Sequence, residues 1–150
     1  METVLQIDGV SKAYGKVKAL KEVSLTIPKG SVFGILGPNG SGKTTMMSIV
    51  LDVLGADTGT YSWFNQPPTS AARKRIGSLL ETPNFYHYLS AEDNLKITSA
   101  ISGRGSDQDI SEVLEIVKLT ERKKSRFSTY SLGMKQRLAI AAALLGNPEV

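Results

Sequence analysis

The sequence predicts an α/β domain, and three observations carry that expectation. The first third holds short stretches that alternate apolar and polar residues or run wholly apolar. A glycine-rich loop joins one such run to an apolar helical segment. The second half carries helical periodicity, with capping residues where each helix should begin. Strand, loop, helix, strand, helix in that order points to a partly parallel sheet.

The elements follow in chain order. Val4, Leu5 and Ile7 lead into Gly9 as a first strand. Val23, Leu25 and Ile27 alternate with Ser24, Thr26 and Pro28, the mark of a half-buried strand. Pro28-Lys29-Gly30 is a turn. The apolar run 31–36, Ser31 to Leu36, reads as a buried strand and opens into a loop from Gly37 to Gly42. A helix is expected from Lys43 to Leu54, apolar nearly all round and so buried on more than one side. Tyr61 to Phe64 is a further strand, ended by Pro67-Pro68. Ile76 to Leu80 is another short apolar run, and Thr82 to Tyr88 an aromatic loop. Ser90, with Glu92 and Asp93 behind it, reads as the N-cap of a helix reaching about Ile101. Ile110, Val113, Leu114 and Val117 share one face of a helix over 107–117. A last helix begins at Leu132 or Met134 and ends before Gly146-Asn147-Pro148.

Composition bounds the chemistry. With 150 residues, 41% hydrophobic and 21% charged, the chain has the size and make-up of one soluble globular domain. The absence of cysteine excludes thiolate metal sites and a Cys nucleophile. The longest apolar stretch, Leu138 to Gly146, falls short of the ~20 residues a membrane span needs. The N-terminus has no basic and apolar regions of a signal peptide. A net charge of +4 is mild. The basic runs Arg73-Lys74-Arg75 and Arg122, Lys123, Lys124, Arg126 read as solvated faces. No aromatics interleave with these cations, so no nucleic-acid partner is expected.

One motif carries chemistry outright. Gly37-Pro38-Asn39-Gly40-Ser41-Gly42-Lys43-Thr44 fits G-x-x-x-x-G-K-[ST] at every fixed position, with an apolar run before it and a helix after. Glycines let the backbone approach an anion without a Cβ in the way. The loop N–H groups and the positive helix end then face the same phosphate. Lys43 should reach β- and γ-phosphate oxygens, and the Thr44 hydroxyl should ligate Mg²⁺. The motif specifies a P-loop NTPase core and a nucleoside triphosphate.

Further segments narrow the family. The loop reads GPNGSGKTT through Thr45, and Tyr14 lies 23 residues before Gly37 in Ser11-Lys12-Ala13-Tyr14-Gly15. Ile76 to Glu81 follows downstream, and Tyr130-Ser131-Leu132-Gly133-Met134-Lys135-Gln136-Arg137 precedes an apolar helix. Together these resemble the nucleotide-binding domain of ATP-binding-cassette (ABC) transporters, over essentially the whole chain, in its N-terminal part. The look is that of bacitracin- and lantibiotic-type export ATPases. The resemblance implies a P-loop core with a β-rich N-terminal subdomain and an α-helical subdomain at about 82–130.

It also implies roles. Tyr14 matches the aromatic that stacks on adenine; a Tyr packed on a strand pair is the alternative. Ser131 and the Gly133 N–H match the signature that meets the γ-phosphate of a second ATP-binding domain, against a simple N-cap. Leu132 and Met134 depart from the common Leu-Ser-Gly-Gly-Gln form. Glu81 stands where the family has Gln and can offer Mg²⁺ a carboxylate oxygen, or simply be solvated. Phe85, Tyr86, His87 and Tyr88 fall in the segment that meets the membrane subunit, or fold back onto the helices. The implied cofactors are ATP and Mg²⁺. The implied partners are a transmembrane permease subunit and a second ATP-binding domain, head to tail, on the cytoplasmic face of the membrane.

The chain ends at Asn147-Pro148-Glu149-Val150. In the family a Pro-x-Val stretch opens the Walker B strand that supplies the Mg²⁺-binding Asp and the catalytic Glu. The expectation is therefore a domain truncated before the Walker B strand. Its helices 43–54 and 138–145 should expose apolar faces, and the 150 residues alone should bind nucleotide without turnover.

Overall fold

The computed structural model describes residues 2–80 and 84–150, which divide into two compact units, 1–73 and 74–150. Glu81, with the start of the expected aromatic loop at Thr82 and Pro83, lies outside the described residues.

In the first unit, β1 (Thr3–Tyr14) and β2 (Val17–Pro28) form a long antiparallel hairpin closed by Gly15 and Lys16. β3 (Thr58–Trp63) pairs with the other edge of β1, so the sheet runs β2-β1-β3 and is antiparallel throughout. The partly parallel sheet expected from element order is not found among the described residues. The strand expected over 31–36 is not found either. Val32 and Leu36 are fully exposed, at 103% and 95%, and Phe33 is half exposed. A strand needs a neighbour to take its N–H and C=O groups. No described segment pairs with 31–36, so apolarity alone does not make it a strand.

The helix after the loop, α1 (Lys43–Val50), is one turn shorter than expected. It turns out of helical geometry at Leu51, and Asp52 adopts a left-handed conformation. Met46, Ile49 and Val50 are buried, but Met47 and Val53 are exposed, so one face is buried rather than most of the surface. Val4, Ile7, Val10, Leu20 and Trp63 of the sheet are buried as well. The Trp63 indole Nε1–H donates to the Val50 carbonyl at 2.7 Å, tying the end of α1 to β3. A four-residue turn of helix, α2 (Ser70–Arg73), closes the unit.

The second unit is helical. α3 (Ala91–Ser102) is capped by Ser90, whose Oγ accepts from the Asp93 N–H at 3.1 Å. α4 (Asp107–Ile116) carries a capping box between Ser106 and Asp109. Its Ile110, Val113 and Leu114, with Val117 just beyond, are all buried, as their spacing predicts. α5 (Leu132–Leu144) begins at the earlier of the two expected positions. Leu138, Ala141 and Leu145 join the core of α3 and α4, leaving Ile140 half exposed. The apolar face expected to lie open on this helix is thus mostly covered. The run 76–80 is neither helix nor strand: Ile76 is buried and Leu79 half exposed.

One buried polar side chain among the described residues organises the segment before α3. Asn94 is 2% exposed. Its Oδ1 accepts from the Tyr86 N–H at 2.8 Å, and its Nδ2 donates to the carbonyls of Tyr86 and Ser90 at 3.1 and 2.9 Å. Phe85 therefore turns onto the core, edge-on to Phe127 at 5.3 Å, while Tyr86 and Tyr88 stay exposed. Phe85 thus folds back onto the helices, one of the two readings considered for the segment.

Candidate nucleotide-binding site

The loop 37–42 ends against the sheet. Gly42 has φ +92°, and a Cβ there would lie 2.4 Å from the Ala19 carbonyl oxygen and 2.9 Å from Leu20 Cδ2 on β2. Only glycine fits both the backbone angle and the space. Gly40 has φ +81° but open space around it, so its requirement is conformational alone.

α1 starts at this point with no side-chain cap and no acidic residue in its first turn. α3 and α4, by contrast, carry Ser caps and two first-turn carboxylates each. The first N–H groups of α1 are thereby left facing the loop, with the positive end of the helix dipole behind them. Lys43 folds back over the loop: its Nζ donates to the Gly37 and Pro38 carbonyls, both at 2.7 Å, and to Ser41 Oγ at 3.4 Å. Neutral oxygens hold this ammonium, and among the described residues no carboxylate is paired with it. Thr44 is exposed and Thr45 half-buried.

Tyr14 ends β1 opposite Val17, with half its surface open at 51%. From Val17 to Leu20, beside Gly42, is three strand residues, about 10 Å. Tyr14 and the loop thus share one end of the sheet. A feature that sequence reading missed fixes this corner. Asp57, one residue before β3, takes the Lys12 ammonium at 2.7 Å and the Ala13 N–H at 2.7 Å. The Lys12 hydrogen bond, then the Ala13 N–H, hold its carboxyl below the usual range. Its only sequence signal is an Asp before a Thr-Gly turn.

Ser131 and Gly133 belong to the second unit. Ser131 caps α5, its Oγ accepting from the Met134 N–H at 3.3 Å. Ser131, Leu132 and Gly133 are all exposed, and a Cβ on Gly133 would meet nothing within 4 Å. Packing within the chain gives no reason for a glycine there. His87 sits edge-on to Phe127 at 5.4 Å, an exposed residue of the aromatic segment. No group of three or more His, Asp or Glu that could hold a metal occurs among the described residues. The Thr44 hydroxyl is a hard oxygen donor of the kind that Mg²⁺ takes.

Known proteins resemble this chain over most of its length. The bacitracin transport ATP-binding protein BcrA of Enterococcus faecalis is 39% identical over 153 aligned residues, covering 100% of this chain and 50% of that protein. The lantibiotic transport ATP-binding protein SrtF of Streptococcus pyogenes is 37% identical, covering 98% of this chain and 64% of its own length. This chain thus spans half to two thirds of these relatives. A solved ATP-binding cassette of an ABC transporter, MJ1267, superposes with a TM-score of 0.86 at 28% identity, over 99% of this chain and 66% of that one. The ABC transporter family profile matches residues 20–150. With a phosphate loop seated on the sheet, an uncapped α1 and this match over most of its length, the chain belongs to the ABC transporter family, as an ATP-binding member.

Proposed function

We propose that this chain provides the nucleotide-binding face of an ABC subunit that couples Mg·ATP binding and hydrolysis to export across a membrane. The observation that carries the reading is the loop 37–42 with its uncapped helix and with Lys43 held by the loop carbonyls of Gly37 and Pro38. The loop N–H groups and the α1 N-terminus bind the β-phosphate, and Lys43 leaves the Gly37 and Pro38 carbonyls to bridge phosphate oxygens. The Thr44 hydroxyl holds Mg²⁺, which supplies charge neutralisation between the phosphates when bound. Thr45 lines the same helix turn, and the Tyr14 ring stacks on adenine, a contact worth roughly 1–3 kcal/mol. Asp57 keeps Tyr14 in place by anchoring Lys12 and Ala13.

Ser131 and Gly133 face the nucleotide of a second ATP-binding domain. The open space at Gly133 supports a close approach from outside the chain. Glu81 takes the place of the Gln that senses Mg²⁺ and water, and the segment that follows it meets a permease. The transport of bacitracin and of a lantibiotic, for which BcrA and SrtF are named, supports an antibiotic-peptide exporter on the cytoplasmic face of the membrane. No described helix is long and apolar enough to cross a membrane, which suits a subunit that attaches through its permease.

Lys43→Ala tests the reading. Loss of a charge-assisted contact of roughly 1.5–3 kcal/mol lowers ATP affinity about 10- to 150-fold by calorimetry. Unchanged affinity in a folded variant contradicts it.

A further inference from the structure

Of the five asparagines in the chain, only Asn39 is followed by glycine. Asn39 and Gly40 are the central pair of a turn closed by the Ser41 N–H, which donates to the Pro38 carbonyl at 3.3 Å. Both residues are exposed, and the space where a Gly40 Cβ would stand is open to 4 Å. Among the described residues no acceptor takes the Gly40 N–H, and no partner holds the Asn39 side-chain amide. The backbone nitrogen and the side-chain carbonyl carbon next to it are thus both unshielded.

The other candidates for the same chemistry are blocked, each in its own way. Asn94 is buried, with its amide in three hydrogen bonds. Asn65 precedes Gln66, whose N–H already donates to the Trp63 carbonyl at 2.9 Å. Asn84 precedes Phe85, a bulky residue packed on the helical core. Asn147 precedes Pro148, which has no N–H. Asp8 also precedes a glycine, but the Gly9 N–H donates to Ser24 Oγ at 2.9 Å inside the sheet.

We propose that Asn39 is a site of spontaneous deamidation, which disables the phosphate loop and which bound nucleotide prevents. The Gly40 nitrogen gives its proton to hydroxide and attacks the Asn39 side-chain carbonyl carbon. A C–N bond forms, the bond to the side-chain nitrogen breaks, and ammonia leaves after taking a proton from water. Water then opens the cyclic imide at either carbonyl, leaving aspartate or isoaspartate; nothing is oxidised or reduced. Either product is a carboxylate, an acceptor without a donor, in a loop that receives an anion. Mg·ATP protects because phosphate oxygens then take the loop N–H groups. The link to nucleotide rests on the function proposed above.

The test is peptide mass spectrometry of this chain aged in mildly alkaline buffer, with and without saturating Mg·ATP. Asn39 gains the mass of deamidation before any other asparagine, and Mg·ATP slows the gain several-fold. Asn39→Asp lowers ATP affinity about 10-fold or more by calorimetry, through like charge close to the phosphates. Asn65→Asp, an equal charge change at another exposed asparagine, leaves the affinity nearly as it was. Asn39→Gln, which keeps an amide but closes its ring more slowly, retains its ATP binding on ageing while the parent loses it. Circular dichroism checks that each variant folds. Earlier modification at another asparagine, equal rates with and without Mg·ATP, or unchanged affinity in Asn39→Asp overturns the proposal. Lys43→Ala measured beside it separates the two readings. If that variant loses ATP binding while Asn39 fails these tests, deamidation alone is refuted; if it binds ATP unchanged, the nucleotide reading falls as well.

Discussion

Replacing Gly42 by alanine probes how the phosphate loop is seated, and Gly40→Ala supplies its internal reference. Both glycines have positive φ, +81° at Gly40 and +92° at Gly42, so each alanine incurs a similar backbone strain of about 1–2 kcal/mol. Only at Gly42 does the new Cβ collide, 2.4 Å from the Ala19 carbonyl oxygen and 2.9 Å from Leu20 Cδ2. The first of these neighbours is backbone in β2 and cannot rotate away. Forcing apart such a contact adds about 1–3 kcal/mol. Gly42→Ala should therefore destabilise this unit by roughly 2–5 kcal/mol, against about 1–2 for Gly40→Ala. The assay is urea unfolding followed by Trp63 fluorescence. Trp63 is the one tryptophan, and its indole is bonded to the last turn of α1, so it reports this unit. With an m-value of about 1–2 kcal/mol/M, the two variants should differ in midpoint by roughly 1 M. Coincident midpoints would refute the packing of the loop on β2.

Two further predictions concern the supports of the sites. Asn94→Ala leaves the Tyr86 N–H without its partner, while the Tyr86 carbonyl keeps the Leu89 N–H at 3.2 Å; this should cost about 1–3 kcal/mol and expose the segment 84–89 to limited proteolysis; cleavage and melting unchanged from the parent would contradict it. Asp57 has a folded-state pKa below its unfolded value, through the Lys12 hydrogen bond and then the Ala13 N–H. Its stabilising contribution is present above the ordinary carboxylate range and is lost as pH falls through the depressed folded value. Asp57→Asn should flatten the acid limb of the Trp63-monitored urea midpoint, and an unchanged slope would show that the pair does not act through ionisation.

Much of the site was legible before any coordinates. The phosphate loop is a local pattern, and its glycines state their backbone requirement in residue type alone. The caps at Ser90 and Ser131, and the face of Ile110, Val113, Leu114 and Val117, are also local, because helix hydrogen bonds and periodicity close within a few residues. Asp57 was not legible, since its partners lie 44 and 45 residues away. Nor was the split of the aromatic segment, which depends on the buried Asn94 eight residues on.

The sequence by itself determined the phosphate-loop motif, the family resemblance and the helices of the second unit. Each is written in residues close together along the chain. The tertiary structure alone decided that the sheet is antiparallel in the order β2-β1-β3 and that 31–36 is no strand. It also decided that the run at 122–126 stands beside Tyr86 and Tyr88. The physical reason is the same in each case. Strand pairing and side-by-side placement depend on which distant backbone groups find each other, and an apolar or charged run carries no address for its partner.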